Sequence, residues 1–281
     1  MNFNHCVVYL LNIIFSKFIF FKKPQLRIIT YHHIRKENFN KLKKNIIKLK
    51  KNYNILSPKT FFEIIEKKKV LKKNSILITF DDGFYSQKKF AQDVLSKLKI
   101  KSIFFIVPNF LKIKKISLSK KFLKKNILKT TDINNFDISM RNMSLTDLKY
   151  LTKQGHLISM HTLNHKKLSY IHKIPILKNE INSNLIFYKK FLKLKTPFCF
   201  ANPFGDIKSI NSVALKIILD KYQYLFTGIR GNNLDIKNKN VFYRDALNDN
   251  DSYNLISGFL NGFADFYYFR DRNKLNRMFK V

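Results

Sequence analysis

The sequence predicts an α/β protein built on a parallel sheet or barrel. Short apolar segments with few charges recur along the chain, as expected for strands that are covered on both faces. Lys-rich segments with a helical pattern lie between them, and this alternation is typical of parallel strands joined by right-handed crossovers. The length of 281 residues suits one barrel of ordinary size without a second domain.

The alternation defines the predicted elements. The segments with the composition of buried strands are Arg27–Tyr31, Ile76–Phe80, Ser102–Val107, His156–Met160, Phe198–Ala201, Tyr224–Thr227 and Val241–Tyr243. The helical segments that accompany them are Phe39–Lys51, Pro58–Lys68, Tyr85–Leu98, Leu145–Lys153, Ile176–Leu192 and Asn211–Asp220.

One of these helices has well-marked ends. Ser144 and Asp147 are spaced as in a capping box, in which a hydroxyl and an acidic side chain bond the free backbone N–H groups of the first turn. Gly155 is placed to end the same helix. The region 108–142, by contrast, breaks the alternation because it is long, polar and Lys-rich. Long connections without structure of their own often act as lids.

The first 24 residues form an apolar segment that we separate from the barrel, which is expected over residues 25–281. The stretch from His5 to Phe21 is short for a membrane span and contains Asn12, Ser16 and Lys17. It also lacks the cleavage site of a signal peptide. It could be a helix docked on the barrel, an interfacial anchor or a poor span, and docking or peripheral attachment is favoured.

The formal net charge of +36 first suggests nucleic acid as a partner, because Lys and Arg release the counterions condensed on phosphates. The excess is almost all Lys, however, and it accompanies many Asn, Ile and Phe residues, as codon bias in a genome would produce. No recognition motif accompanies the charge, so we expect no specific nucleic-acid partner. An anionic membrane surface or an acidic glycan carrier is the better match.

The two cysteines, Cys6 and Cys199, lie far apart and form no CxxC pair. Such cysteines suit a reducing compartment. We therefore expect a cytoplasmic protein, with peripheral attachment to the inner membrane as an alternative.

Two carboxylates follow the predicted strand Ile76–Phe80. Asp81 and Asp82 are adjacent, and neighbouring carboxylates repel each other unless a cation offsets the repulsion. A cation bound to one of them leaves the other free to accept a proton. The alternative is that both cap a helix that begins near Tyr85.

Two histidines follow the predicted strand His156–Met160. His161 and His165 have the spacing of one face of a helical turn, from which both imidazoles could reach one metal. Taken alone they could be ordinary surface or capping histidines, but together with the carboxylates they supply the ligands of an open zinc-type site. A polar loop from Asn202 to Asp206 could aim a backbone N–H at an oxyanion or serve only as a turn.

Three motifs resemble, in order, the first three motifs of the polysaccharide deacetylases, the NodB-homology carbohydrate esterases. They are TFDDG at 79–83, HTLNH at 161–165 and ANPFG at 201–205. Tyr31 to Ile34 is also similar to an opening found in bacterial members, and the likeness covers roughly Arg27 to Arg244. The resemblance implies a distorted (β/α) barrel that removes acetyl groups from N-acetylated sugars in cell-envelope polysaccharide metabolism.

The resemblance also implies roles for single residues. Asp82, His161 and His165 match the metal ligands of the family, for one divalent metal that we expect to be zinc, with cobalt or manganese as alternatives. Asp81 matches the catalytic base, and the backbone N–H of Phe204 matches the oxyanion donor. The implied partner is an acetylated sugar or glycan.

Three further residues are expected at the substrate. Asn202 and Pro203 belong to the third motif, where Asn202 replaces an aromatic residue common in bacterial relatives. Arg244 resembles an arginine late in related barrels and would contact substrate, unless it forms a surface salt bridge. Ala201 stands where the family often has an arginine that orients the base.

The general acid is the largest departure from the family pattern. Many members protonate the leaving amine with a late histidine, but no histidine follows His172 in this sequence. His32, at the end of the first strand, is the candidate substitute, although it could simply pack there. The alternatives to N-deacetylation are therefore an O-acetyl sugar esterase, whose leaving alkoxide needs no strong acid, and a catalytically weak barrel that binds glycan or an anionic surface.

Overall fold

The computed structural model describes residues 3–15, 24–128, 136–187, 199–234, 236 and 238–279. These residues form one sheet of parallel strands with the order β8-β7-β6-β5-β4-β3-β1-β9, and β2 pairs with β3 beside this path. The strands are β1 Leu26–Tyr31, β2 Asn54–Ile55, β3 Ser75–Asp82, β4 Ile103–Ile106, β5 Leu157–Met160, β6 Cys199–Ala201, β7 Tyr224–Phe226, β8 Val241–Phe242 and β9 Asp245–Ala246.

The sheet curls because its two edges are consecutive in sequence. β8 lies at one edge and β9 at the other, yet only Tyr243 and Arg244 separate them. Residues 242 and 245 cannot be more than about 11 Å apart. The edges must therefore approach each other, and the α/β barrel expected from the sequence is confirmed in this curled, distorted form.

All seven predicted strands are present, with ends that differ by a residue or two. β2 and β9 were not predicted, because a segment of two residues has no periodicity to detect. β3 is longer than predicted and includes both carboxylates, Asp81 and Asp82.

The helices are α1 Phe3–Phe15, α2 Phe39–Asn52, α3 Pro58–Ile65, α4 Tyr85–Phe90, α5 Pro108–Leu111, α6 Ile116–Asn126, α7 Leu145–Lys153, α8 Ile174–Phe187, α9 Ser212–Leu219, α10 Tyr253–Leu260 and α11 Phe269–Arg277. The six predicted between strands correspond to α2, α3, α4, α7, α8 and α9. A π-helical turn at Ala91–Leu95 continues α4, and the end of the predicted helix at 188–192 lies outside the described residues. α10 and α11 were not predicted.

Alternate residues of the strands pack into two separate cores. Leu77, like Ile28 and Phe105, belongs to a core of apolar side chains enclosed by the sheet. Ile76, Ile78 and Phe80 instead belong to the larger core between the sheet and the helices. The inside of the barrel is therefore filled with apolar side chains toward the amino ends of its strands, as in other barrels of this size.

The Lys-rich region 108–142 is not structureless, which corrects the expectation from the sequence. It contains α5, α6 and a 3-10 turn at Ile138–Met140, while residues 129–135 lie outside the description. Its apolar residues Phe110 and Leu123 pack with Phe84 in a small core of their own. The lysines of α6 lie on the solvent-facing side of an amphipathic helix, and their number masks the helical spacing of its apolar residues in the sequence.

The N-terminal segment forms α1, which lies against α10. Val8 and Asn12 are buried at this contact, and a Cβ added to Gly258 of α10 would be 2.8 Å from Val8 Cγ1. Glycine thus permits the close approach of the two helices. None of the helices in the described residues has the length and apolar composition needed to cross a membrane.

Candidate metal and catalytic site

The barrel interior changes from apolar to polar toward the carboxyl ends of its strands. Leu77 is followed on the same face by Thr79 and Asp81, and Ser159 is followed by His161. The carboxyl ends of parallel strands are where α/β barrels place their active sites. The polar residues that the sequence analysis selected meet at this end.

Asp82 adopts an unusual backbone conformation that brings both carboxylates to one place. Consecutive residues of a strand point to opposite faces, so Asp81 and Asp82 should diverge. Asp82 has a φ of 78°, in the left-handed region that non-glycine residues rarely adopt. The strand pleat is broken there, and both carboxylates lie within 4 Å of the His161 Nε2 atom. Neither caps α4, whose N-cap residue is Phe84.

His161 and His165 are brought together by a loop and not by a helical turn, which corrects the sequence interpretation. Residues 161–167 have no helical structure, and both Thr162 and His165 have positive φ values, 57° and 58°. The two imidazole rings nevertheless lie with their centroids 4.9 Å apart. Backbone strain of this kind collects at functional sites, where the surrounding structure must hold it in place.

Asp82, His161 and His165 present three ligand atoms to one point. Asp82 Oδ1 is 3.3 Å from His165 Nε2 and 3.6 Å from His161 Nε2, and the three ligand atoms lie within 4.8 Å of one another. All three side chains are buried. A single divalent ion can be coordinated by such a set.

The two imidazoles have the protonation and orientation that metal binding needs. Nδ1 of His161 donates to the Ala201 carbonyl and Nδ1 of His165 donates to the Asn126 carbonyl, both at 2.8 Å. A carbonyl can only accept, so Nδ1 carries the proton and Nε2 of a neutral ring has a free lone pair. Burial lowers the pKa of His161 to about 3 and that of His165 to about 4, so both rings are neutral near pH 7.

The carboxylate of Asp82 differs from the two imidazoles in its hydrogen bonding. Its Oδ1 atom is buried and has no hydrogen-bond partner among the residues that the structure describes. Burial raises its pKa to about 7, and with neutral imidazoles its contacts to His161 and His165 are not ion pairs. A buried, uncompensated carboxylate beside two imidazole lone pairs fits a divalent metal of the zinc type.

Asp81 is held by a different cation. Nη1 and Nη2 of Arg244 donate to its two carboxylate oxygens at 2.7 and 2.8 Å, in the two-point geometry that strengthens such pairs. Burial by itself raises the pKa of Asp81, but Arg244 and the nearby His161 outweigh this effect and hold the pKa well below its usual range. Asp81 is therefore ionised and can accept a proton.

Arg244 lies in the barrel interior and not on the surface, which corrects the surface salt bridge considered from the sequence. Its Nε also donates to the Thr227 carbonyl at 2.8 Å. The guanidinium, which was expected to contact substrate, thus donates to Asp81 and to Thr227. Its place in the two-residue connection between β8 and β9 brings it into the barrel.

His32 lies next to Asp81 at the end of β1. Its Nε2 is 3.9 Å from Asp81 Oδ2, and its side chain is 48% exposed. Buried Gln87 donates through Nε2 to the backbone carbonyls of both Asp81 and His32, which ties the two strand ends together. His32 therefore combines proximity to the base with access from solvent.

The third motif forms a tight loop beside His165. Phe204 has a φ of 65° and its exposed ring lies 4.8 Å from the His165 ring. Its backbone N–H has no acceptor among the described residues. Gly205 contacts Gly228 so closely that an added Cβ would be 2.7 Å from the Gly228 backbone. The Phe204 N–H is therefore a free donor in a loop whose aromatic ring lies against His165.

Asn202 and Pro203, expected at the substrate, are both buried. The Asn202 side chain donates to Ser209 Oγ at 2.6 Å, and its backbone N–H donates to the Phe226 carbonyl. These two bonds of Asn202 hold the loop in shape, and its contact with substrate stays a prediction.

Three contributors to the site were not selected from the sequence: the Asn126 carbonyl, the Gln87 side chain and the pairing of Arg244 with Asp81. A backbone carbonyl has no signature in a sequence. Gln87 lies in a predicted helix, where a glutamine attracts no notice.

The chain matches one family of known proteins by its sequence. The family model for polysaccharide deacetylases matches residues 68–220, more than half of the chain. A search of curated proteins finds no match.

Solved structures share the fold at low sequence identity. The deacetylase PplD of Streptococcus pyogenes, in complex with acetate, has 18% identity and a TM-score of 0.65, with 84% of this chain and 99% of that chain covered. IcaB of Ammonifex degensii has 17% identity and a TM-score of 0.65, covering 85% of this chain and 98% of its own. A de-N-acetylase from Aggregatibacter actinomycetemcomitans has 15% identity and a TM-score of 0.60, covering 84% and 99%.

Proposed function

This chain belongs to the polysaccharide deacetylase family, whose members are hydrolases acting on acetylated sugars, and we propose that it removes N-acetyl groups from a cell-envelope glycan with one divalent metal. One observation carries the proposal. Asp82, His161 and His165 converge on one point, while ionised Asp81 lies beside them and is held by Arg244.

Asp82, His161 and His165 would hold the metal, for which zinc is the first choice and cobalt or manganese are alternatives. A divalent metal in such a site makes water a stronger acid and polarises an acyl oxygen. Asp81 accepts the proton of the attacking water. Arg244 keeps the Asp81 carboxylate in one orientation, so that it faces the reacting atoms without rearrangement.

The backbone N–H of Phe204 donates to the oxyanion of the tetrahedral intermediate. The leaving amine must then take up a proton, and His32 is the residue that we assign to this step. Its ring is half-exposed and adjacent to Asp81, so it can reach both substrate and base.

O-acetyl ester hydrolysis is the second candidate, and the position of His32 is the observation that favours it. A half-exposed histidine 3.9 Å from Asp81 is less firmly held than a buried acid, and an alkoxide leaves without strong assistance. A catalytically weak barrel that binds glycan is the third candidate. It predicts glycan binding that survives Asp81→Asn and releases no acetate.

The test measures metal content and acetate release on the same preparations. Purified protein, supplied with zinc, cobalt or manganese, is incubated with a panel of N-acetylated and O-acetylated sugars. We expect about one metal ion per chain and acetate release that Asp82→Ala and His161→Ala both abolish. His172→Ala, an exposed histidine outside the site, is the matched control and should behave as wild type. Full metal retention by both ligand variants would overturn the site.

A further inference from the structure

One side of the molecule exposes apolar residues that the barrel does not use. α1 turns Val8 and Asn12 toward α10, and the opposite side of the same helix faces solvent. Leu10, Ile13 and Ile14 on that side are between 49% and 56% exposed, and Phe15, the last residue of the helix, is 47% exposed. A folded protein rarely exposes so many large apolar side chains together unless that surface binds another molecule.

A second exposed group belongs to the C-terminal part of the chain. Phe266, Tyr267 and Phe269 are all exposed, in the 3-10 turn at Asp265–Tyr268 and at the start of α11. Asn261, in the turn that leads to them, donates through its side chain to Asn12 Oδ1 of α1 at 2.8 Å. This bond ties the C-terminal half of α1 to the turn that precedes the aromatic residues in the chain. We call the two groups together the lipid-docking surface: Leu10, Ile13, Ile14, Phe15, Phe266, Tyr267 and Phe269.

The charges near this surface are mostly positive. α1 contains no Asp or Glu, while α11 exposes three cations with the spacing of one helix face, Arg270, Lys274 and Arg277. Asp271 is the acidic residue of α11. The whole chain has 54 Lys and Arg against 18 Asp and Glu.

We propose that the lipid-docking surface binds the face of an anionic lipid bilayer. Apolar and aromatic side chains insert at the boundary of headgroups and acyl chains, and neighbouring cations are attracted to anionic headgroups. A second copy of this chain is the poorer occupant, since two chains of charge +36 repel each other. The described part of α1 lies along the protein, so this binding is peripheral.

The proposal gives the enzyme a place of action without depending on its chemistry. A deacetylase held at a bilayer meets glycan that is anchored to or made at that bilayer. The binding itself requires neither metal nor Asp81, and the test below therefore stays valid if the proposed deacetylation fails.

The experiment is co-sedimentation of the full chain with vesicles of phosphatidylglycerol and phosphatidylcholine, and with vesicles of phosphatidylcholine alone. We expect retention on the anionic vesicles that weakens as salt is added, and little retention on the neutral ones. Ile14→Asp combined with Phe269→Asp should lower the partition coefficient about tenfold or more, because both apolar contacts are lost.

Val70→Asp is the matched control. Val70 is 81% exposed and lies outside the lipid-docking surface, so this variant adds one negative charge without touching that surface. It should sediment with anionic vesicles as wild type does. Ile14→Asp and Phe269→Asp, each made alone, carry the same single charge and should both bind more weakly than Val70→Asp. Retention of the double variant at the level of Val70→Asp would overturn the proposal, as would equal binding of wild type to both kinds of vesicle or to neither.

A second measurement covers the case in which the double variant fails to fold. The chain contains no Trp, so Phe269→Trp introduces a single reporter at the surface. Its fluorescence should shift to the blue when anionic vesicles are added. An unchanged spectrum would contradict lipid docking. A blue shift that appears without vesicles when the protein concentration is raised would also contradict it, and would indicate self-association instead.

Discussion

Arg244 and Asp81 form a buried two-point ion pair across 163 residues of sequence, with Nη1–Oδ1 and Nη2–Oδ2 distances of 2.7 and 2.8 Å. The pair links Arg244, in the connection between the two sheet edges, to the carboxyl end of β3. The contact therefore spans the inside of the curled sheet and also orients the proposed base.

Arg244→Lys should lower kcat about tenfold or more while KM changes little, because a lysine keeps the charge but loses the two-point geometry. Arg244→Met should also lower the free energy of unfolding by about 3–5 kcal/mol, since it leaves the buried Asp81 carboxylate unpaired. Steady-state kinetics and urea unfolding measure the two effects.

Arg27 offers the control for that pair of measurements. It is equally buried and pairs with Asp245 and Asp265, not with Asp81. Arg27→Lys should be destabilised without a change in kcat. If Arg244→Lys retained wild-type kcat, a positioning role for Arg244 would be excluded.

Metal removal should destabilise the protein through the same three ligands. A metal present at about a hundred times its Kd adds about 2.7 kcal/mol to folding by mass action. A chelator should therefore lower the Tm of wild type and of His172→Ala, but not that of His165→Ala, which has lost a ligand. Thermal unfolding with and without chelator provides the comparison, and an equal chelator effect on all three proteins would argue against the site.

His32→Ala should separate the two enzyme candidates. The variant removes the proposed proton donor, and an amine leaving group needs that proton far more than an alkoxide does. We expect N-acetyl hydrolysis to fall about a hundredfold and O-acetyl hydrolysis to fall much less. Acetate release from matched N-acetyl and O-acetyl sugars measures this ratio. Equal losses on both substrates would remove His32 from the acid role.

Gly205→Ala should be strongly destabilised. Its φ of 70° disfavours any side chain, and the new Cβ would be 2.7 Å from Gly228. We expect a loss of about 3 kcal/mol, together with lower activity because the Phe204 N–H is displaced. Gly155→Ala isolates the backbone effect, since Gly155 has a φ of 82° but only the flexible Lys101 side chain nearby, at 3.6 Å. The free energy of unfolding of Gly155→Ala should fall by about 1 kcal/mol. Equal losses in the two variants would show that the close approach of Gly205 and Gly228 does not contribute to the cost of Gly205→Ala.

Asp249 should make stability depend on pH. Burial raises its pKa, but hydrogen bonds from the Arg35 side chain and backbone outweigh burial, so its pKa in the folded protein is lowered. A lowered pKa contributes stability above the unfolded value near 3.9, and this contribution is lost as the pH falls through the folded value. Asp249→Asn should thus be less stable than wild type at pH 7, and the difference should shrink below about pH 4.

Urea unfolding at several pH values measures that difference. Asp206→Asn, at an exposed position, is the control, and its stability at pH 7 should differ little from that of wild type. A gap for Asp249→Asn that stayed constant down to pH 3 would contradict the role of the Arg35 contact.

The chemistry of the site was largely predictable because its parts are local in sequence. Asp81 and Asp82 follow an apolar strand, and His161 and His165 follow another, so the rule that parallel strands end at one edge brings them together. The backbone conformation that brings these side chains together was not predictable. The positive φ values of Asp82, Thr162 and His165 depend on surrounding packing that the identity of a residue does not reveal.

By itself, the sequence determined the order of seven strands and the six helices among them, the end of the barrel that carries the polar residues and the three candidate ligands, since these depend on periodicity and residue type over short ranges. Only the tertiary structure decided that Arg244 holds Asp81, that the Asn126 carbonyl orients His165 and that α1 leaves an apolar side uncovered. Those relationships join residues far apart in the chain, and they arise when the sheet curls and its helices dock. Hydrogen bonds to backbone carbonyls and side-chain pairs across a curled sheet follow from geometry, which a linear pattern does not contain.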